Sequence, residues 1–243
     1  MEPVYQQTFP ITDNCVDCFG RLKPSMVLFF VQEAAGQHCM NLSVDYDTLA
    51  ARRMFWAVIR HRVQITRLPM RGETLRVETW PMPTTRVAYP RSVAAYDEAG
   101  RECFRCISLW VLMDLDSRAM ILPGKSGVEV NGILRGTELA APASLPPKPL
   151  QQRRNRTVCF TDLDRNGHMN NTRYLDWLYD LLPSSFHREH TPKEFTVCYL
   201  NESLEGQTLE LCWDILEDGT LQVDALRQTD TKTERVFSSR VFY

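Results

Sequence analysis

Two stretches of the chain space apolar residues three and four positions apart, a pattern typical of a helix that buries one face. The first stretch contains Val27, Leu28, Phe30 and Val31, and the second contains Tyr174, Leu175, Trp177 and Leu178. A constant offset of 147 residues carries the first set onto the second. The pattern therefore predicts one core helix in each half of the chain.

After each helix the pattern changes to runs rich in β-branched and aromatic residues, separated by Gly, Pro or charged turns, which predict antiparallel strands. In the first half these runs cover residues 56–65, 75–80, 87–96 and 103–115. In the second half they cover residues 195–200, 209–215, 221–226 and 235–243. One strand, one long helix and then several antiparallel strands predict an α+β fold in which a sheet wraps a central helix. This is the hotdog architecture, expected here as two tandem domains.

Two sequence anchors align the halves as an internal repeat. Residues 17–22 match 164–169 at the offset of 147, and residues 72–77 match 206–211 at an offset of 134. The first half therefore holds 13 additional residues between its anchors. We assign them to a second short helix near residues 45–53.

A Pro-rich segment at 142–149 separates the halves, and its prolines favour an extended, semi-rigid connection. The predicted organisation is an N-terminal hotdog domain at 1–141, this linker, and a C-terminal hotdog domain at 150–243.

Charge and hydropathy exclude several classes of partner. The 243 residues carry 28 basic and 30 acidic side chains, a formal net charge of −2, so no overall field attracts nucleic acid or an anionic membrane. The N-terminal residues include an acid and prolines where a secretion signal needs a basic start and an apolar run. The longest apolar stretch, near 26–31, is too short to span a bilayer. We therefore expect a soluble, cytoplasmic protein without stable membrane insertion.

Eight cysteines include two pairs at C-x-x-C spacing, Cys15/Cys18 and Cys103/Cys106, and zinc sites use the same spacing. Apolar neighbours such as Phe104 favour ordinary core thiols over metal ligands. The sequence thus predicts a reducing compartment, no metal and no organic cofactor.

The most informative positions are those at which the two copies differ in chemistry. From the first half to the second, these changes are Phe19 to Asn166, Arg21 to His168 and Leu68 to Glu202. We place Glu202 on a strand, where an unpaired carboxylate would be costly to bury and needs a partner. The alternative is a solvent-facing acid beside the turn at residues 205–206.

His168 precedes the second core helix, and a histidine there is either a cap, a packed polar residue or a catalyst. The remaining four histidines, His38, His61, His187 and His190, are interpreted as packed or capping residues. Asn170 and Asn171 are assigned to capping, since Asn accepts N–H bonds at a helix start. The free N–H groups of that helix start also suit an anion that develops on a carbonyl oxygen.

Residues 162–171, with the sequence DLDRNGHMNN, are followed by Tyr174 and Trp177 and resemble the central motif of plant and bacterial acyl-acyl carrier protein (acyl-ACP) thioesterases. The resemblance continues in the first half at 20–22, 32–35, 72–73, 79–81 and 110–112 and at Trp56. Single-domain hotdog thioesterases that act on coenzyme A esters carry similar short loops, and the tandem arrangement distinguishes the acyl-ACP enzymes.

The resemblance implies hydrolysis of the thioester of fatty acyl-ACP, which releases free fatty acid and ends chain elongation. The catalytic set of the family falls on Asp164, Asn166, His168 and Glu202. Glu202 and His168 would activate one water as general base. Asn166 and helix-terminal N–H groups would stabilise the oxyanion, while Asp164 would orient the loop. Ser203 stands where plant members often have a cysteine, which argues against a covalent cysteine mechanism.

The resemblance also implies that the acyl tail sits in the N-terminal domain. Phe30 and Trp56 are candidates for its pocket wall, with plain core packing as the alternative. Because carrier proteins are acidic, the cluster of Arg153, Arg154 and Arg156 after the linker is a candidate contact for ACP. An ordinary solvated strand end is the alternative for that cluster.

Other functions of the same fold stay open. An acyl-CoA thioesterase would keep the site and exchange the carrier, a non-catalytic acyl-binding protein would keep only the pocket, and a dehydratase would act on hydroxyacyl chains. The four polar residues together argue against the second, and the Asn-rich loop fits hydrolysis better than dehydration. Acyl chain length is left open, since one methylene changes discrimination by only about 1–3 kcal/mol. A possible homodimer is left open because the tandem arrangement already places two hotdog domains in one chain.

Overall fold

The computed structural model describes residues 2–136 and 138–243, and the chain divides into two compact units, Met1–Pro142 and Ala143–Tyr243. The segment predicted as the linker begins at this division. Across the described residues, none of the helices combines the length and apolar character that a membrane crossing needs.

The first unit is an antiparallel sheet with one long helix, as predicted. Its strands are β1 (Tyr5–Pro10), β2 (Met54–Ile65), β3 (Thr74–Pro81), β4 (Tyr89–Tyr96), β5 (Glu102–Asp114) and β6 (Met120–Ile121). Its helices are α1 (Pro24–Asn41), α2 (Tyr46–Ala50) and α3 (Pro123–Ser126). The strand order is β1-β3-β4-β5-β2, and β6 pairs with β5. The four strands predicted from the sequence are confirmed, with bounds that shift by only one or two residues.

Helix α1 begins at Pro24, whose fixed φ suits the first turn of a helix. Its apolar face packs against β1 and β3, and the ring of Phe30 lies 4.6 Å from that of Phe9. The predicted second helix is confirmed but shorter than 45–53. Asp45 caps it by accepting N–H bonds from the first turn, and the chain leaves it at Arg53, which has a φ of 58°.

The second unit repeats the same plan with a shorter central helix. Its strands are β7 (Gln152–Thr157), β8 (Glu194–Tyr199), β9 (Thr208–Ile215), β10 (Leu221–Gln228) and β11 (Thr233–Phe242). Its helices are α4 (Arg173–Tyr179) and α5 (Ser184–Glu189). The strands pair antiparallel in the order β8-β11-β10-β9-β7. The prediction of a long central helix holds in the first unit only, although the apolar set at 174–178 is buried as expected.

The internal repeat extends to individual backbone hydrogen bonds. Leu22 N–H donates to Pro69 O at 2.8 Å, and at the two offsets found in the sequence Met169 N–H donates to Ser203 O, also at 2.8 Å. The isolated bridge between Arg21 and Met70 has its counterpart in the bridge between His168 and Leu204. These pairs confirm both sequence anchors and, with them, the correspondence of Glu202 with Leu68.

Candidate active site

A tight loop at 164–168 presents the imidazole of His168. The Asp164 Oδ1 atom accepts the N–H of Asn166 at 2.8 Å and the N–H of His168 at 3.2 Å, and Asp164 N–H donates to His168 O at 2.8 Å. Gly167 closes the loop with a φ of 77°, a conformation that glycine adopts without steric cost. An Asp side chain that bonds to the backbone two residues ahead stabilises such turns.

The first unit contains the same loop with different chemistry on it. Asp17 Oδ1 accepts the N–H groups of Phe19 and Arg21 at 2.8 and 3.0 Å. The Arg21 guanidinium bonds back to Asp17 Oδ2 at 3.0 Å and covers the Phe19 ring at 4.7 Å. Because both copies use the aspartate to shape the loop, this geometry supports the loop-orienting role of Asp164.

Glu202 lies beside His168, as the two-copy comparison predicts. Glu202 Oε2 is 3.5 Å from His168 Nε2, and the two side chains are 49% and 19% exposed, so water reaches the pair. The prediction that a strand carries Glu202 is wrong, because β8 ends at Tyr199 and Glu202 follows in the connecting loop. The bridge between His168 and Leu204 brings the two loops together.

A buried pair of hydroxyl groups anchors the loop that carries Glu202. The Tyr174 hydroxyl on α4 donates to Ser203 Oγ at 2.9 Å, and Ser203 is only 1% exposed. Burial raises the pKa of Tyr174 to about 12, so its phenol remains neutral and acts as a donor. The Tyr174 ring stacks on Phe237 at 4.7 Å. This packing fixes the position of the residue next to Glu202.

The two asparagines after His168 have separate structural roles. Asn170 Oδ1 accepts the N–H and the hydroxyl of Thr172 at 2.9 and 2.8 Å, which stabilises the turn that leads into α4. The N-cap of α4 is Thr172, so the assignment of Asn170 and Asn171 to capping this helix is wrong. Asn171 offers its backbone oxygen to the Tyr199 hydroxyl at 2.9 Å. Helix α4 begins at Arg173, five residues after His168.

Phe30 and Trp56 both pack within the first unit. Phe30 is buried against Phe9, and its ring contacts that of Phe29 edge-on, with 5.6 Å between the ring centroids. Trp56 is half-buried on β2, where its Nε1–H donates to Val44 O at 2.8 Å and its ring meets Tyr89 edge-on at 4.9 Å. Their core contacts are present, and a role for either in lining an acyl pocket stays a prediction.

The three arginines predicted as one patch divide between the two faces of β7. Alternate side chains of a strand point to opposite faces, so Arg154 and Arg156 share one face and Arg153 takes the other. Arg154 donates to the Asp180 backbone oxygen and Arg156 to its carboxylate, each at 2.7 Å. Arg153 Nε lies 3.6 Å from Glu210 Oε2. Arg154 and Arg156, which share the face with Asp180, are therefore the better candidates for a contact with ACP.

Sequence reasoning missed Gln207, which holds the loop that carries Glu202. Gln207 Oε1 accepts the Leu204 N–H at 3.0 Å. The signal was present in the second anchor, because Glu73 stands at the equivalent position and accepts Met70 N–H at 3.1 Å in the same manner.

Comparisons with known proteins cover most of the chain. The acyl-ACP thioesterase N-terminal domain model matches residues 2–122, and the C-terminal domain model of the same enzymes matches residues 148–238. A chloroplastic dodecanoyl-[acyl-carrier-protein] hydrolase of Cinnamomum camphora is 26% identical over 222 residues, which are 85% of this chain and 58% of that protein. A chloroplastic oleoyl-acyl carrier protein thioesterase 2 of Arabidopsis thaliana is 27% identical over 205 residues, 74% of this chain and 54% of that one. The chain thus spans little more than half the length of these relatives.

Solved structures agree over the full length of this chain. The crystal structure of an acyl-ACP thioesterase from Bacteroides thetaiotaomicron has a TM-score of 0.90 at 24% identity, covering 99% of this chain and 97% of that one. The 12:0-ACP thioesterase from Umbellularia californica has a TM-score of 0.82 at 22% identity, with the same coverage. These likenesses confirm the predicted fold. With both domain models matched in order along the sequence, the chain belongs to the acyl-ACP thioesterase family.

Proposed function

We propose that this protein hydrolyses the thioester of fatty acyl-ACP and releases free fatty acid. The observation that carries the proposal is the 3.5 Å approach of Glu202 to His168, at positions where the first unit holds Leu68 and Arg21. A base next to an imidazole on an accessible loop is the arrangement that water activation requires. The curated relatives are named as hydrolases or thioesterases of acyl carrier protein esters, which supports the same reaction here.

In this mechanism Glu202 and His168 take a proton from one water, and the resulting hydroxide adds to the thioester carbonyl carbon. The amide of Asn166 donates to the oxyanion of the tetrahedral intermediate. The intermediate collapses with cleavage of the carbon–sulfur bond, and the proton passes to the departing thiolate. Because a thiolate leaves readily, the base and the oxyanion donor carry most of the catalysis, while Asp164 keeps the loop in shape.

Substitution of Glu202 by Gln tests the proposed base with little change of shape. Loss of a general base lowers turnover by roughly 10²–10⁴ fold, so we expect a loss of this order in the kcat of purified Glu202→Gln on acyl-ACP. Glu205→Gln is the matched control, because Glu205 is an exposed acid in the same loop and should keep near-normal kcat. Near-normal kcat in Glu202→Gln would remove Glu202 from the mechanism.

The carrier is tested with one acyl group on two carriers. We expect a higher kcat/KM for acyl-ACP than for the coenzyme A ester of the same acid. Arg154→Gln combined with Arg156→Gln should raise KM for acyl-ACP more than for the coenzyme A ester, because two arginines on one face of β7 attract an acidic protein. Equal kcat/KM values on the two carriers would favour the acyl-CoA alternative.

The acyl tail and the compartment complete the proposal. Phe30 and Trp56 are proposed to shape the tail pocket of the first unit, and Trp56→Ala should shift the preferred chain length among acyl-ACP substrates. An unchanged profile would assign Trp56 to core packing alone.

The described cysteines are free thiols, which supports a reducing cytoplasm as the site of action.

A further inference from the structure

A single guanidinium connects the parts of the second unit that surround the candidate base. Arg227, near the end of β10, donates through Nη1 to the backbone oxygen of Glu202 at 2.7 Å and to Gln207 Oε1 at 2.8 Å. Its Nη2 atom bonds to Glu234 Oε2 at 2.6 Å. The side chains of Arg227 and Glu234 are 17% and 18% exposed, so their ion pair lies mostly away from solvent, whereas the bond to the Glu202 carbonyl lies at the surface.

The two Nη1 bonds act on both partners of the candidate pair. One fixes the main chain of Glu202 directly. The other fixes Gln207 Oε1, which also accepts the N–H of Leu204. Leu204 forms the bridge to His168. The relative position of the carboxylate and the imidazole therefore depends on one arginine that bonds the main chain of Glu202 and the side chain of Gln207.

The first unit holds a corresponding network with its charges exchanged. There Arg67 bonds to both carboxylate oxygens of Glu73, at 3.1 and 2.6 Å, and to Asp97 at 2.8 Å. The strand registers place Asp97 where the second unit has Arg227, because Trp80 pairs with Ser92 and its equivalent Asp214 pairs with Gln222. The position of Arg67 is occupied by Asn201 in the second unit.

The exchange of charges alters what the arginine holds. Arg67 bonds carboxylates and so ties side chains together beside its turn. Arg227 reaches the equivalent turn from the strand opposite and bonds the carbonyl of Glu202 itself. A purely structural clamp would be satisfied by the arrangement in the first unit. The second unit has instead an arrangement that fixes the residue proposed as the base.

We propose that Arg227 is a positioning residue for thioester hydrolysis, holding the Glu202 loop so that its carboxylate meets the His168 imidazole. This inference rests on the proposed function. A displacement of about 1 Å in a catalytic group lowers turnover by on the order of 10² fold, so loss of the clamp should appear in kcat rather than in KM.

The test compares Arg227→Gln with Arg67→Gln, which removes the corresponding clamp from the first unit. We expect kcat on acyl-ACP to fall by roughly 10–100 fold in Arg227→Gln with KM within about twofold of the wild type. Arg67→Gln should lower Tm about as much as Arg227→Gln does, because each variant removes one clamp, but it should keep the kcat of the wild type. Arg227→Lys should restore part of kcat, because an ammonium can still donate to the Glu202 carbonyl.

Amide hydrogen exchange across 200–207 supplies a second measurement that does not require turnover. Exchange of this segment should accelerate in Arg227→Gln and stay at the wild-type rate in Arg67→Gln. Normal kcat in Arg227→Gln, or unchanged exchange across 200–207, would overturn the inference. A wild-type protein that fails to hydrolyse acyl-ACP would instead refute the proposed function, and the exchange comparison would still decide whether the clamp exists.

Discussion

Two buried histidines of the first unit should make its stability fall as the solution becomes mildly acidic. Burial lowers the pKa of His61 to about 3. Burial and then the neighbouring Arg91 guanidinium lower the pKa of His38 to about 4, against an opposing bond to the Glu2 carbonyl. Arg91 Nη1 donates to His38 Nδ1 at 3.0 Å, and His61 Nδ1 lies 2.7 Å from Ser108 Oγ. Both imidazoles are therefore neutral in the folded protein at neutral pH.

The direction of this pH dependence follows from the number of protons that the folded and the unfolded chain bind. Between pH 6.5 and 4 the unfolded chain protonates both histidines, while the folded chain keeps them neutral, so the free energy of unfolding decreases as pH falls. A pKa lowered from 6.5 to about 4 or below removes about 2 kcal/mol per histidine between pH 7 and pH 5. Together the two account for about 4 kcal/mol, a large share of the roughly 5–15 kcal/mol that stabilises a typical domain.

Urea unfolding at pH 7, 6 and 5, followed by tryptophan fluorescence, measures this decrease. The double variant His38→Gln with His61→Gln should begin less stable but lose far less stability between pH 7 and pH 5, because glutamine does not titrate. Asp97 does not interfere in this window. Burial opposes its ionisation, but hydrogen bonds from Arg101 and Arg67 lower the pKa of Asp97 to about 2, so its contribution is lost only in stronger acid. An identical decrease in the double variant and the wild type would refute the reasoning.

Three further outcomes are expected from the local geometry. Asp45→Ala removes the cap that accepts two N–H groups of α2 and should lower stability by about 1 kcal/mol in urea unfolding, and an unchanged midpoint would contradict the cap. Gly132→Ala would place a Cβ against the backbone of Met82, so it should lower Tm, whereas Gly124→Ala, with open space around it, should not. His168→Arg recreates the pairing of the first unit, so we expect Tm to be retained through a bond to Asp164 while acyl-ACP hydrolysis is lost. Retained hydrolysis in that variant would exclude the imidazole from catalysis.

The elements were predictable because their signals are local. The eight strands for which the sequence predicts bounds combine β-branched and aromatic runs with Gly or Pro turns, and those bounds differ from the observed ones by at most two residues. Strands β1, β6 and β7 lie outside the predicted runs. The length of the second helix was not predictable from its apolar face, which continues the pattern of α1 over 174–178. The helix ends at Tyr179, and Pro183 follows four residues later with extended backbone.

The candidate site was predictable only as far as the two copies could be compared. The repeat predicted that Glu202 and His168 lie together, yet it placed Glu202 on a strand. The first unit already indicated that Glu202 lies in a loop, because the equivalent residue Leu68 follows the end of its strand, β2, which stops at Ile65. The contact of Arg227 with Glu202 was beyond reach, since it depends on the pairing of β10 with β9 and on two loops that meet only in the folded unit.

The two loops show how the hydrolytic centre that we propose for the second unit fits on a loop backbone that the first unit also has. In the first unit the charge of Arg21 is paired within its own loop with Asp17. Replacing that arginine by a histidine removes the permanent cation and leaves the imidazole to meet a carboxylate from the other loop. The aspartate that was an ion-pair partner then only shapes the turn. In the mechanism that we propose, three exchanged side chains on a shared loop backbone supply the hydrolytic centre, and Arg227 is the residue proposed to hold the Glu202 loop.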